Sequence, residues 1–382
     1  MTLNSHFYGK KNKYVIAIDT KALITLLIIV ISSCQSNKKT NGESIVTIDI
    51  AEAWDSDNKK NINASELFAD VTYIPLDTDD TYLIGKVPNL YITDNYIFMG
   101  GFLFDKEGHF ITKLGKTGQG PEEFLFARDE LFNEARKEYY ALDNYRNYIH
   151  VYDINNHYLR SIPVPAFRER FFLLNKDQLL IANKRGFTSR EPKDWEFSYM
   201  VIGVEKGDTL YKHTSISLNE LKEMTNLYAT PFDVFWSYHN TMNFYDGIQD
   251  TIYSLKKGRI DQPRYAINFG KYKNFEEIKK EIPTDNCWSG TYMKISTIYE
   301  YKDYLKFYVT YNRERKIILY NKADHSTFVL GEVKKDIDGI CDESSYVWPD
   351  DLDEDQIKTI ATKSGKVSKE GDNPIIIIKK EK

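Results

Sequence analysis

The stretches FDKEGHF (residues 104–110) and YDINNHY (residues 152–158) begin 48 residues apart and follow one pattern. In each, an aromatic residue precedes Asp, a polar turn follows, and the segment ends on His and a second aromatic residue. Aromatic residues on both sides of a short polar turn are typical of a β-hairpin. A repeat of about 50 residues fits one four-stranded blade of a β-propeller, so the pair predicts a repeat fold of this kind.

Further strand and turn patterns recur at similar intervals. An aromatic content of 14% and alternating runs such as YLKFYVTY (residues 304–311) favour strands over helices. The patterns define five internal blades, near residues 90–114, 139–164, 170–211, 233–269 and 295–330.

A sixth blade is expected to combine both ends of the chain. Pro374–Ile378 would pair with a strand from Ile45–Ile50 or Val71–Pro75, which removes exposed sheet edges. The sequence therefore predicts an all-β fold: a six-bladed β-propeller of four-stranded antiparallel blades, closed by N- and C-terminal strands.

The first 34 residues have the order of an export signal. Lysines up to Lys21 precede a short apolar run, Ala22–Ile31, that is about half as long as a membrane-spanning helix. Ile31-Ser32-Ser33-Cys34 follows and resembles the bacterial lipobox. By that resemblance Cys34 would be lipidated, become the mature N-terminus and anchor the protein in a membrane. An ordinary signal peptide with a chance cysteine is the alternative.

These features divide the chain into three parts. Residues 1–34 are expected to be a lipoprotein signal peptide, residues 35–43 a flexible polar tether, and residues 44–382 the propeller domain. Gln35 stands where lipoproteins of the inner membrane often carry Asp, so the resemblance implies an outer-membrane lipoprotein of the cell envelope, in either leaflet. The net charge of −5 and the scattered basic residues indicate no nucleic-acid partner.

Four segments resemble a family of bacterial six-bladed propeller lipoproteins. They are YIPL (73–76), GQGPEEF (118–124), DTIY (250–253) and NPIIII (373–378). The family is similar in architecture to NHL-repeat and TolB-like propellers. Because its members are mostly uncharacterised, the resemblance implies a fold and no catalytic residue.

The glycine-rich segment GKTGQGPE (residues 115–122) contains the end of a P-loop motif. Phe110 occupies the position of the first P-loop glycine, and Glu123 stands where a dinucleotide-binding fingerprint needs a small residue. We therefore predict a loop between blades, in which glycines allow positive φ angles.

Two segments have some of the acidic residues of a calcium site. Asp55–Glu66 resembles an EF-hand loop, but Lys59 and Lys60 stand at a ligand position and at the glycine position, so a solvated loop is predicted. Calcium bound by the acidic residues 336–355 is an alternative to a solvated loop there. The prediction is no metal site and no cofactor.

The sequence contains no recognisable arrangement of catalytic residues. His109, His157 and His325 are expected at equivalent hairpin positions, where repetition indicates a structural role. The motifs of zinc peptidases, serine hydrolases and thioredoxin-like proteins do not occur, so no catalytic residue is predicted. Cys287 and Cys341 could form a disulfide or remain buried thiols.

Surface recognition is the remaining source of function, because propellers usually bind ligands where loops converge at the channel mouth. Aromatic residues in loop-like contexts are candidates, since their rings can stack on sugars or on a partner protein. These candidates are Trp236, Tyr238, His239, Trp288, Tyr292 and Trp348. Packing between blades is the alternative for each of them.

The sequence thus leads to a lipid-anchored envelope propeller that acts as a binding or scaffold module for a protein partner or a glycan. The alternative is an enzyme that processes a carbohydrate or another small substrate with carboxylates gathered around the channel. If the protein is an enzyme, acidic side chains or histidines with perturbed pKa values should cluster at one mouth of the channel. If it is a scaffold, apolar or neutral side chains should fill the channel.

Overall fold

The computed structural model describes thirteen parts of the chain. They are residues 39–40, 43–56, 59–79, 83–84, 90–165, 170–182, 197–223, 233–280, 292–334, 336, 346–347, 373 and 375–381. The chain divides into two units, residues 1–45 and residues 46–382. In the first unit, β1 (Lys39–Thr40) and β2 (Glu43–Ser44) form an antiparallel pair. Residues 1–34, and with them Cys34, lie outside the described residues.

The second unit begins with short elements that join sheets formed later in the chain. They are β3 (Val46–Asp49), α1 (Ile50–Asp55), β4 (Lys59–Asn63), α2 (Ala64–Leu67) and β5 (Phe68–Pro75). The side chain of Asp49 caps α1 by accepting a hydrogen bond from the N–H of Glu52 at 2.8 Å. No helix among the described residues is long and apolar enough to cross a membrane.

Five sheets follow, each built on four consecutive antiparallel strands and arranged as the blades of a β-propeller. In two of them β3 or β4 adds a fifth, parallel strand. Blade 1 consists of β6 (Leu90–Ile92), β7 (Tyr96–Met99), β8 (Phe102–Asp105) and β9 (Phe110–Lys113). Blade 2 consists of β10 (Ala127–Asn133), β11 (Glu138–Asp143), β12 (Tyr148–Asp153) and β13 (Tyr158–Pro163). Blade 3 consists of β14 (Arg170–Asn175), β15 (Gln178–Ala182), β16 (Tyr199–Gly203) and β17 (Thr209–His213), followed by α3 (Leu218–Glu223).

The last two blades have the same strand order. Blade 4 consists of β18 (Val234–Tyr238), β19 (Thr241–Asp246), β20 (Thr251–Lys256) and β21 (Arg259–Asn268), followed by a 3₁₀ turn (Gly270–Tyr272) and α4 (Phe275–Ile278). Blade 5 consists of β22 (Lys294–Glu300), β23 (Tyr304–Tyr311), β24 (Glu314–Asn321) and β25 (Thr327–Lys334). The five internal blades predicted from the sequence are therefore confirmed.

Both ends of the chain meet in one further sheet. β27 (Ile375–Glu381) lies between β5 and β26 (Tyr346–Val347), with antiparallel pairing on both sides. The predicted pairing of the C-terminus with Val71–Pro75 is thus confirmed. Six four-stranded blades were predicted, and this number is wrong, because the described residues form five such blades and a terminal sheet of three strands. The physical reason is that β3 and β4 pair in parallel with the outer strands of blades 4 and 5 instead.

The blades are held together by strands that are apolar on both faces. All six residues of β11 are buried. Because side chains alternate along a strand, one set faces each neighbouring blade. Tyr139 packs against Phe98 of blade 1, with ring centroids 5.5 Å apart. Leu142, on the other face, joins the cluster that contains Phe171 of blade 3.

The repeated sequence segment forms equivalent hairpins in blades 1 and 2. Asp105 Oδ1 accepts hydrogen bonds from the N–H groups of Glu107 (3.0 Å) and His109 (2.8 Å), and its Oδ2 lies 2.9 Å from His109 Nδ1. Asp153 and His157 repeat the backbone contact at 2.8 Å and the ring contact at 3.0 Å. These contacts agree with the structural role predicted for both histidines.

The equivalent hairpin of blade 5 keeps the position but changes the contacts. Asn321 replaces the Asp, and the N–H of His325 donates to its carbonyl oxygen at 3.0 Å. The ring Nδ1 of His325 pairs with the hydroxyl of Tyr320 at 2.5 Å.

A buried ionic group joins blades 2 and 3. The side chain of Glu138, 8% exposed, accepts hydrogen bonds from Arg160 at 2.8 and 3.0 Å and from Arg136 at 3.0 Å. Arg160 also donates to the carbonyl oxygen of Val204 in blade 3 at 3.0 Å. Burial raises the pKa of Glu138, but the hydrogen bonds from Arg160, Arg136 and Tyr140 outweigh burial and lower this pKa from 4.5 to about 2.

This lowered pKa predicts a specific loss of stability in acid. The folded pKa lies below the unfolded value, so Glu138 stabilises the fold above pH 4.5 and this contribution is lost as the pH falls towards 2. We expect the difference in free energy of unfolding between the wild type and Glu138→Gln to shrink by about 2 kcal/mol from about pH 6 to about pH 3. Urea unfolding followed by tryptophan fluorescence measures it.

Glu205→Gln is the matched control, because Glu205 contacts the same arginines but its side chain is 60% exposed. Its effect on stability should be small at every pH. A wild-type to Glu138→Gln difference that does not change with pH would contradict the proposed ionic contribution.

Candidate binding surface on blade 2

Trp236, a predicted binding residue, is buried between blades. It is 9% exposed, and its Nε1 donates a hydrogen bond to Glu300 Oε2 of blade 5 at 2.9 Å. The same carboxylate accepts hydrogen bonds from Arg264 of blade 4 and Lys322 of blade 5. For Trp236 the structure therefore favours packing between blades over ligand binding.

Of the remaining predicted aromatic residues, the three that the structure describes lie in two separate places. Tyr238 and His239 lie at the turn after β18, with ring centroids 4.1 Å apart, and the Lys322 ammonium lies 4.7 Å from the Tyr238 ring. Tyr292 precedes β22, is 3% exposed, and packs in a separate cluster. Tyr238 ends the first strand of blade 4, whereas Tyr292 precedes the first strand of blade 5, so the two residues lie at opposite ends of equivalent strands. Trp288, Trp348, Cys287 and Cys341 lie outside the described residues.

Blade 2 instead exposes four large apolar side chains on chain segments that adjoin one another at one end of its sheet. Tyr145 is 75% exposed, Phe126 is 55% exposed, and Leu125 and Tyr148 are each 41% exposed. We call these four residues the blade 2 aromatic surface. They lie where the connection from blade 1 enters β10 and where β11 turns into β12.

Asp143 organises this surface. Its side chain is fully buried, and Oδ2 accepts a hydrogen bond from the N–H of Leu125 at 2.8 Å while Oδ1 accepts one from the N–H of Tyr145 at 2.9 Å. In the sheet, Asp143 lies opposite Ala127 on one side and opposite Tyr148 on the other. The backbones of all four surface residues are therefore positioned around one carboxylate.

Arg146 fixes the adjoining loop, residues 115–124. Its guanidinium donates hydrogen bonds to the carbonyl oxygens of Glu123 (2.6 Å), Gly120 (2.9 Å) and Gln119 (3.0 Å). The hydroxyl of Tyr152 donates to the carbonyl oxygen of Glu122 at 2.6 Å. The loop thus has a defined conformation, and it supports the aromatic surface.

The loop explains the glycine-rich motif without a phosphate ligand. It connects β9 with β10, as predicted for a loop between blades. Gly115 has a φ of +84°, and a Cβ atom there would lie 2.7 Å from ring atoms of Phe124 and of Tyr139. Glycine is therefore required both by backbone conformation and by the close approach of two rings.

Sequence reasoning missed Phe126 and Tyr145 as candidates. The predicted candidates were chosen around tryptophan residues, which are commonly buried in such folds. Two signals could have identified the surface: the Leu125-Phe126 pair that ends a glycine-rich loop, and Tyr145 inside the polar turn DNYRN (residues 143–147).

Acidic residues also gather at the equivalent turn of blade 4. Asp246 is fully buried, and its Oδ1 accepts hydrogen bonds from the N–H groups of Ile248 (2.8 Å) and Gln249 (3.1 Å). Asp143 makes the same two types of contact in blade 2. This repeated pattern indicates that Asp246 stabilises the turn.

Asp250 and Lys273 form a buried pair beside that turn. Asp250 accepts hydrogen bonds from Lys273 and, at 2.9 Å, from the hydroxyl of Tyr245. Burial raises the pKa of Asp250 and lowers the pKa of Lys273, and their mutual attraction opposes both shifts. Lys273 also donates to the carbonyl oxygen of Gly247 at 2.6 Å, so the pair ties the turn to the segment after β21.

His213 lies between a serine and an aspartate but does not form a catalytic triad with them. Its Nε2 lies 3.4 Å from Ser215 Oγ and 3.6 Å from Asp246 Oδ2. A triad requires the base and the orienting acid to use different ring nitrogens, whereas both contacts here involve one nitrogen.

Two regions bear on the calcium predictions. In the described part of the chain, Asp105, Glu107 and His109 form the one group whose ligand atoms lie within 4.8 Å of one another, but Asp105 is engaged with His109 in the hairpin described above. The EF-hand-like segment is not a solvated loop as predicted, because residues 59–63 form β4. Most of residues 336–355 lie outside the described residues, so calcium there stays a prediction.

At the strand ends opposite the blade 2 aromatic surface, a cleft of about 510 Å³ lies between the first hairpin turns of blades 1, 2 and 3. Two of its charged side chains already have partners. Glu134 accepts hydrogen bonds from Asn95 and lies 3.9 Å from Lys137, whose ammonium donates to the hydroxyl of Tyr96 at 3.1 Å.

The fold is that of a β-propeller. A family model described as "Domain of unknown function (DUF4934)" matches residues 45–380, and the chain belongs to this family. A comparison with curated proteins finds no significant match.

A solved structure shows a similar fold. A putative exported protein from Bacteroides fragilis NCTC 9343 has a TM-score of 0.58 at 16% sequence identity, covering 88% of this chain and 100% of that chain. A DUF4221 family member from Bacteroides vulgatus ATCC 8482 has a TM-score of 0.44 at 9% identity, covering 69% and 85% respectively. At 16% identity, the first similarity is evidence of a shared fold only.

The structure predicts that Arg146 keeps the 115–124 loop rigid. In Arg146→Ala we expect amide hydrogen exchange at Gly118 and Phe124, which form the loop's internal hydrogen bonds, to accelerate at least about tenfold, because hydrogen bonds to a charged group are lost. Exchange in blade 4 should not change. Lys116→Ala, an exposed change in the same loop, is the control, and equal acceleration in both variants would contradict the role of Arg146.

Proposed function

We propose that this chain is a lipid-anchored β-propeller of the bacterial cell envelope that binds a protein partner or a glycan. The observation that carries the proposal is the blade 2 aromatic surface. Exposed large apolar side chains are ordinary when scattered, but a group of them at one place on a fold is typical of an interaction site. Aromatic rings are especially effective there, because each offers a large contact area with little loss of side-chain freedom.

The rigidity of the surface supports this function. Association is opposed by the ordering of loops and side chains, and a site that is already ordered avoids part of that cost. Here Asp143 fixes the backbones of Leu125 and Tyr145, and Arg146 fixes the loop beside them. The surface is thus prepared for binding before a partner arrives.

The envelope location rests on the N-terminal sequence. The lipobox-like segment that ends at Cys34 supports lipidation, and Gln35 supports the outer membrane. The similar fold from Bacteroides fragilis is named a putative exported protein, which fits an exported location for this chain. The relationship to NHL-repeat and TolB-like propellers is part of the same proposal and rests on the sequence resemblance.

Binding, and not catalysis, is proposed because the acidic groups of blade 4 have structural tasks. Asp246 caps a turn, and Asp250 is held by Tyr245 and Lys273. Neither metal nor cofactor is part of the proposal, and the membrane is contacted through the lipid on Cys34.

The anchor predicts a specific modification. Cells that express the wild-type chain should incorporate an alkyne-labelled fatty acid into it and retain it in the outer-membrane fraction. In Cys34→Ser the label should be absent and the protein should leave that fraction. Cys287→Ser is the control and should behave as the wild type. Unchanged labelling in Cys34→Ser would exclude this anchor.

The binding surface predicts retention by envelope material. We expect the purified protein to co-sediment with isolated cell-envelope fragments, and the double variant Phe126→Ala/Tyr145→Ala to lose at least about tenfold in apparent affinity. Leu159→Ala/Leu210→Ala is the control, because these side chains are 44% and 39% exposed on other strands. Equal loss in both double variants, or no loss in either, would contradict the proposal.

A further inference from the structure

We infer that the blade 2 aromatic surface binds a neutral polysaccharide chain, with Phe126 and Tyr145 stacking on its sugar rings. This inference rests on the proposed binding function and selects the class of ligand. It follows from the size of the surface, its mixture of apolar and polar groups, its charge and its openness.

The surface is small for a stable protein partner. A standard protein interface covers about 800 Å² on each side and involves roughly 20 to 30 residues. The exposed apolar group here consists of four side chains, far fewer than the residues of such an interface. A few sugar units need no larger area.

The chemistry of the surface matches a sugar ring. A pyranose has apolar C–H faces and a rim of hydroxyl groups, so it needs flat apolar contacts beside hydrogen-bonding groups. Phe126 and Tyr145 provide exposed rings. The adjoining loop provides exposed amide and carboxylate groups from Gln119 and Glu122.

The charge of the region favours a neutral glycan over an anionic one. Residues 115–130 carry two basic side chains, Lys116 and Arg128, against four acidic ones, Glu122, Glu123, Asp129 and Glu130. The buried Asp143 offsets Arg146. An anionic polymer would require an excess of basic groups, as nucleic-acid-binding surfaces have.

The openness of the surface favours a chain over a single sugar. Tyr145 and Phe126 are more than half exposed, so a ligand lies across them and is not enclosed. Such a contact gains little from one sugar ring, but several rings in one chain can make it at once. The rigid loop keeps the two ring-bearing segments in place and lowers the ordering cost of binding.

The test is isothermal titration calorimetry of the purified protein with maltoheptaose, cellohexaose, xylohexaose and mannohexaose, and with a heparin oligosaccharide as the anionic probe. We expect at least one neutral oligosaccharide to bind and heparin to bind less. Tyr145→Ala and Phe126→Ala should each weaken binding by about tenfold, whereas Tyr145→Phe, which keeps the ring, should bind within about threefold of the wild type.

Tyr299→Ala is the matched control, because Tyr299 is 43% exposed on blade 5 and lies away from the surface. It should bind as the wild type, and thermal unfolding should confirm that all variants are folded. Preference for heparin, or neutral binding that Tyr145→Ala leaves intact, would overturn the inference.

A second measurement separates this inference from the proposed function. Envelope fragments are treated with periodate, which destroys sugars, or with protease, before the co-sedimentation assay. Loss of retention after periodate alone supports the glycan. Loss after protease alone, with retention still dependent on Phe126 and Tyr145, overturns the glycan and leaves the binding function intact. Retention that does not depend on these residues overturns both.

Discussion

The burial of both faces of each blade is the constraint on which the rest of this structure depends. A sheet such as blade 2, with every residue of β11 buried, is stable only between two neighbours. Tyr139 faces blade 1 and Leu142 faces blade 3, so each blade supplies part of the core of the next. Packing of this kind fixes the position of the strand ends, and the turns at those ends are where a binding surface can be built.

Buried carboxylates stabilise the turns at these strand ends. Asp143 and Asp246 stand at the same place in blades 2 and 4, and each accepts hydrogen bonds from two N–H groups of the following turn. A buried N–H group without an acceptor would be costly, so the acid stabilises a sharp turn. In blade 2 the same acid also binds the N–H of Leu125, which couples the turn to the preceding loop. The carboxylate that stabilises the turn therefore also holds the backbone of the proposed binding surface in place.

Much of the fold could be predicted because its signals are local. The spacing of FDKEGHF and YDINNHY indicates a repeated hairpin. Alternating aromatic runs indicate strands buried between sheets. The number of strands in the terminal sheet was not predictable in this way. Val46–Asp49 and Lys59–Asn63 joined the outer edges of blades 4 and 5, and such parallel pairings over long sequence distances leave no local pattern.

The sequence by itself determined the repeat, the strand-rich blades and the lipobox-like segment, because each depends on residues close together or on a strong apolar pattern. It narrowed the partner of the C-terminal strand to two segments, and the tertiary structure selected Val71–Pro75. Only the tertiary structure decided which aromatic residues are exposed. Trp236 is buried because Glu300 of the next blade accepts its N–H, while Tyr145 is exposed because Asp143 fixes its turn outside the core. Exposure is a property of the neighbours that a side chain meets, and those neighbours come from distant parts of the chain.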